Sequence, residues 1–216
     1  MLKIGVLASG RGSNFQSIID AVDSGRVGIE IAVLITDNSS AFAIERAKKH
    51  GISYLIMNPK EYRSRDDFFR EIAEALNKRG VGLVVLAGFM RIVGKPLIDA
   101  FPNMIMNIHP ALLPSFPGLD GQLQALEYSV KVSGCTVHFV DEGMDTGPII
   151  IQAAVPVLQD DTEETLSERI LTLEHQIYPE AIRLFSEGRI TVEGRRVTLK
   201  GYTAPDTYFT NPPIVP

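Results

Sequence analysis

The feature that most constrains this chain is a regular alternation of short, β-branched apolar runs with longer amphipathic stretches. LKIGVLA (2–8), IEIAVLIT (29–36), a short run at 53–57, GLVVLAG (82–88) and MIMNI (104–108) each read as strands. Helical patterns lie between them at about 13–24, 40–50 and 65–79. In the last of these, Phe68, Phe69, Ile72, Ala75 and Leu76 share a face. Alternation of this kind builds βαβ units, and hence an α/β, Rossmann-like fold with a mostly parallel central sheet flanked by helices. The run at 82–88 carries no charge, as expected of a central strand covered on both sides.

Beyond residue 108 the pattern changes. A proline-rich loop leads to a helix at about 121–130, and then TVHFV (136–140) and PIIIQAAVPV (148–157) flank the acidic loop DEGMDTG. The second run is too long for a simple buried parallel strand. A long helix over about 163–186 is opened by Thr162 as N-cap, with Glu163 and Glu164 in its first turn. ITVEGRRVTLK reads as a hairpin turning at Glu193-Gly194, and residues 204–216 as an irregular, proline-rich tail. With no repeat or linker, one domain over 1–216 is expected, its halves at about 1–100 and 101–203.

The 216 residues suffice for a core without metal or disulfide staples. A lone cysteine, Cys135, cannot form an internal disulfide, which favours a reducing, cytoplasmic setting. The apolar opening MLKIGVLASG is too short for a signal peptide, and no run approaches the ~20 residues of a membrane span. A net charge of −5 argues against a nucleic-acid partner. None of the four histidines has metal-ligand spacing with a cysteine or another histidine, so no zinc site is expected.

Three segments carry candidate chemistry. Ala8-Ser9-Gly10-Arg11-Gly12-Ser13-Asn14 joins the first strand to the first helix, where glycines and unsatisfied helix N–H groups suit a phosphate. The Gly-Lys-Ser/Thr ending of a P-loop is absent, and Phe15 replaces the third glycine of a dinucleotide fingerprint. Asp37 is the only nearby candidate for a ribose-binding acid. The plainer alternative is a turn in which Ser13 or Asn14 merely caps the helix. Asn107 and His109 leave the carboxyl end of a strand on one side of it, where an amide and an imidazole suit acyl chemistry. An aspartate in the loop 141–147 would suit the orienting of such a histidine, although Asp and Gly there also fit a simple turn.

Together these segments resemble the folate-dependent formyltransferases, over residues 3 to about 203 and in the expected order. The most specific stretch is GCTVHFVDEGMDTGPII (134–150), similar to that family's active-site signature. By this resemblance Asn107, His109 and Asp145 form the catalytic set, and Gly12, Ser13, Asn14 and Glu174 hold the substrate phosphate and ribose. Met90, Arg91, Ile92 and Val93 line a pterin pocket faced by Val140, Asp141 and Glu142. The implied reaction moves the formyl group of the co-substrate 10-formyltetrahydrofolate to the amine of phosphoribosylglycinamide, without metal. Implied partners are small molecules only, with no membrane or nucleic acid, in a monomer or homodimer. Direct attack by the amine is implied, with Asn107 and protonated His109 on the oxyanion and Asp145 assisting proton transfer. The chain departs from many relatives at Asp120, where they carry histidine, and at Gly121-Gln122. A hydrolase using water as acceptor, a methionyl-tRNA formyltransferase and a non-catalytic binding module are the competing readings. The first two are expected to carry further domains, and the third to lack one of Asn107, His109 and Asp145.

Overall fold

The computed structural model describes residues 1–203, 209 and 211. Five parallel strands come first: β1 (Leu2–Leu7), β2 (Ile29–Thr36), β3 (Tyr54–Ile56), β4 (Leu83–Leu86) and β5 (Ile105–His109). Then β6 (Val132–Phe139) and β7 (Ile149–Pro156) add antiparallel, giving a seven-stranded sheet of order β3-β2-β1-β4-β5-β6-β7. The helices are α1 (Ser13–Asp23), α2 (Ala43–Lys49), α3 (Arg65–Asn77), α4 (Lys95–Ala100), α5 (Gly121–Glu127) and α6 (Glu163–Ser186). A hairpin of β8 (Ile190–Glu193) and β9 (Arg196–Leu199) follows, its turn using Gly194 in the left-handed region. The irregular tail expected over 204–216 falls almost wholly outside the described residues.

Strand alternation divides the central strands between two cores. Ile4, Val6, Leu83, Val85, Met106 and Ile108 pack with α1 and α6, whereas Leu7, Val84, Leu86 and Ile105 pack with α3 and α4. Both faces are therefore covered, which is why 82–88 carries no charge. On α3 the buried face uses Ala73 where the sequence pointed to Ala75, which is only partly buried. At α6 the Thr162 cap is present as a capping box with Thr165. Tyr178 of α6 reaches across the sheet, its hydroxyl 2.9 Å from the carbonyls of Leu86 and Met106.

Boundaries in the second half differ from the sequence expectation. β6 begins at Val132, four residues before the expected start, because Gly134 lets β7 approach closely: a Cβ there would lie 1.9 Å from Ala153 O. Cys135 is consequently mid-strand and buried. The long second run is the edge strand β7, with partly alternating burial, which accounts for its length and mixed polarity. Helix α5 stops at Glu127, before Ser129 turns left-handed.

Candidate active site

The loop after β1 is anchored to the sheet by the amides of Ala8 and Ser9 and to α2 by its carbonyls. Gly10 O accepts from Ala43 N at 3.1 Å, and Arg11 O from Arg46 Nε at 2.9 Å. Arg46 also donates to Gln16 Oε1 at 2.9 Å, tying α2 to α1. Gly12 is the N-cap of α1 at φ 66°, where a Cβ would meet that of Ala43 at 2.9 Å. No side chain caps the helix, so Ser13 and Asn14 do not play the capping role that the plainer alternative assigned them. The first helical amides thus retain their hydrogen-bonding capacity for an anion.

Asn14 instead turns inwards. Its Nδ2 donates to Glu174 Oε2 at 2.7 Å, joining two residues 160 positions apart, and its Oδ1 has no partner among the described residues. Glu174 is buried, and burial raises its carboxyl above the usual glutamate value, the Asn14 bond opposing in part. A group with a raised folded pKa stabilises below its unfolded value and loses that contribution as pH rises through the folded one. At neutral pH the buried carboxylate therefore costs stability. Glu174→Gln is expected to raise Tm at pH 7 and to narrow that gain at pH 4, checked by thermal melts at both.

The second cluster lies at the end of β5. Asn107 and His109 project from one side of the strand, and antiparallel pairing sets His138 opposite Asn107 and Thr136 opposite His109. The β6–β7 ladder shifts register between Val137 and His138, a device that re-aims side chains near active sites. His138 Nδ1 lies 2.8 Å from Phe139 O and therefore carries the hydrogen, which leaves Nε2 to accept from Asn107 Nδ2 at 3.2 Å. Burial holds the His138 pKa below the ordinary histidine value, consistent with this neutral form.

Asp145, at φ 54°, approaches from the acidic loop. Its Oδ2 lies 3.5 Å from His109 Nδ1 and accepts from Gly118 N at 2.8 Å, and its Oδ1 lies 3.6 Å from His138 Nε2. His109 Nε2 lies 2.8 Å from Phe116 O. Both His109 nitrogens therefore face oxygen atoms. Thr136 Oγ1 donates to Ala111 O and accepts from Leu113 N, fixing the loop that carries Phe116 and Gly118. Asn107, His109 and Asp145 thus converge, as a group that also contains His138. His138 was read from the sequence only as a residue inside a strand. The two-residue spacing of Thr136 and His138 matches that of Asn107 and His109, but which strands pair was not legible.

The remaining residues named from the resemblance divide. Met90 and Ile92 are exposed apolar side chains beyond β4. Arg91 pairs with Asp37, and Val93 is buried in the α3–α4 core. Asp141 Oδ1 accepts from Gly143 N and Thr146 Oγ1, shaping the loop, and Glu142 pairs with Lys95 of α4 at 2.8 Å. No group of three or more His, Cys, Asp or Glu side chains able to hold a metal ion occurs among the described residues. No helix among them is long and apolar enough to cross a membrane.

A doubly wound sheet with a glycine loop after β1 and an Asn-His-Asp cluster after β5 defines a class, and the comparisons agree on it. The chain belongs to the formyl transferase family, whose model matches residues 2–182. It is 45% identical to the phosphoribosylglycinamide formyltransferase of Bacillus subtilis (strain 168), over 85% of this chain and 94% of that one. It is also 45% identical to the trifunctional purine biosynthetic protein adenosine-3 of Drosophila pseudoobscura pseudoobscura over 87% of this chain, but spans only 14% of that protein. Among solved structures, glycinamide ribonucleotide transformylase 1 from Symbiobacterium toebii superposes with a TM-score of 0.91 at 57% identity. That match covers 92% of this chain and 94% of the other.

Proposed function

We propose that the chain transfers the formyl group of 10-formyltetrahydrofolate to the glycinamide amine of phosphoribosylglycinamide, a step of purine biosynthesis. The observation that carries this reading is the convergence of Asn107, His109 and Asp145 beyond β5, on the same sheet edge as the Gly12–Asn14 loop and Glu174. Relatives bearing the glycinamide ribonucleotide name align over nearly all of both chains.

The mechanism assigns each group one task. The neutral amine attacks the formyl carbon, forming a C–N bond and a tetrahedral oxyanion, so no enzyme nucleophile is needed. The Asn107 amide donates to that oxyanion, its nitrogen end fixed by His138 Nε2. The Nε2–H of His109, given to Phe116 O in the free protein, turns to the same oxygen. The C–N10 bond then breaks, and the proton lost by the attacking nitrogen passes to N10 with Asp145 as relay. The glycine loop holds the phosphate, Glu174 the ribose hydroxyls, and Met90 and Ile92 the flat face of the folate. In this reading residues of about 1–100 serve mainly the nucleotide, and those of 101–203 the chemistry and the folate. Cytoplasmic action and a monomeric or dimeric state belong to the same proposal.

Absorbance of the folate chromophore, followed with and without the ribonucleotide, tests this. Turnover is expected only when both are present. Deformylation without ribonucleotide would indicate water as acceptor, and folded protein inert under both conditions would overturn the reading.

A further inference from the structure

Outside the Asn107–His109 cluster, an open cavity of about 610 Å³ lies beyond the carboxyl ends of β1 to β4. Its wall includes Ser9 from the glycine loop, Asp37 and Asn38 after β2, Ile56 ending β3, Asn58 beyond it, and Met90 after β4. The floor is set by short polar links: Asn38 Nδ2 donates to Ser9 O at 3.1 Å, and Met90 N to Ser9 Oγ at 3.0 Å. Above it stand two exposed apolar side chains, Ile56 and Met90.

Asp37 has no task in the reaction described above. Its side chain is only 7% exposed, yet it sits on this wall. Oδ2 accepts from Arg91 Nε, and Oδ1 has no partner among the described residues. A buried carboxylate oxygen without a donor is costly, and Oδ1 is closed off in this structure, so a donor from outside the chain reaches it once Arg91 swings aside. The Arg91 side chain is 44% exposed and bonds Asp37 through Nε alone.

The placement narrows the ligand. In doubly wound sheets an acid closing the second strand takes the ribose hydroxyls of a nucleotide whose phosphate rests on the helix after the first strand. Here Asp37 directly follows β2 and the left-handed Gly12 opens α1. Phe15, in place of a third glycine, fits a single phosphate rather than a dinucleotide. We propose that this cavity binds a nucleoside 5′-monophosphate. Its ribose diol donates to Asp37, its base lies against Ile56 and Met90, and its phosphate rests on the glycine loop. Asn58, whose Oδ1 accepts from Lys60 N, keeps its Nδ2 to donate to the base edge. The proposal shares the phosphate-binding loop and Met90 with the formyl-transfer reading, and its ribose and base contacts at Asp37, Ile56 and Asn58 stand apart from it.

Calorimetric titration with AMP tests it without folate or acceptor, so its outcome is independent of whether formyl transfer is observed. Saturable 1:1 binding is expected, weakened about tenfold or more by 2′,3′-dideoxy-AMP, by adenosine and by Asp37→Ala. The two altered ligands leave the protein untouched, and a thermal melt checks that the variant is folded. No AMP binding at millimolar concentration would overturn the proposal. So would equal affinity for the dideoxy nucleotide, or an affinity unchanged by Asp37→Ala.

Discussion

Replacing His109 by alanine is expected to lower kcat by about 10²–10³-fold, and Asn107→Ala by a similar factor. Each loses one donor aimed at charge that exists only in the transition state, so the loss falls on kcat far more than on KM for the ribonucleotide. The phosphate and ribose contacts lie elsewhere, on the glycine loop and Glu174. Both variants should fold, because neither side chain builds the apolar core. Asn107 is only half-buried and His109 stands at the strand end. The two losses should also fall short of adding in the double variant, since both groups serve one oxygen. Steady-state kinetics with circular dichroism on the same samples check this. Near-normal kcat in both folded variants would remove the cluster from the mechanism.

The second large effect concerns the sheet that carries the cluster. Gly134→Val is expected to destabilise the protein by roughly 3 kcal/mol and to lower Tm by about 10 °C. Even a Cβ at this position would sit 1.9 Å from Ala153 O and 3.0 Å from Ala154 Cα, both backbone atoms that cannot rotate away. β7 would have to separate from β6, and β6 is the strand that sets His138 and Thr136 beside the catalytic candidates. Activity should fall with stability even though Gly134 touches no substrate group. A melting temperature within a degree or two of the parent would show that β6 and β7 separate without cost.

The parallel half of the fold was legible because its signals are local. Each strand there is a short, mostly apolar run, and the longer helices have a periodic face or a cap of their own. The same locality made Asn107 and His109 readable as a pair: two residues apart on a strand always share a side. What lay beyond reach was pairing. His138 belongs to the site only because β6 runs antiparallel against β5 in the register that sets it opposite Asn107. The early start of β6 likewise depends on Gly134 meeting β7, a contact between distant segments. Asp145 joins His109 through a left-handed turn that its own sequence permits but does not demand.

The central claim is a statement about where one carbon goes. In a single turnover with the folate's formyl carbon labelled with ¹³C, excess enzyme and phosphoribosylglycinamide, NMR should find the label as a formamide on the ribonucleotide. The rate of its appearance should match loss of the formyl-folate signal. Label recovered as formate, with the ribonucleotide unchanged, would contradict the account.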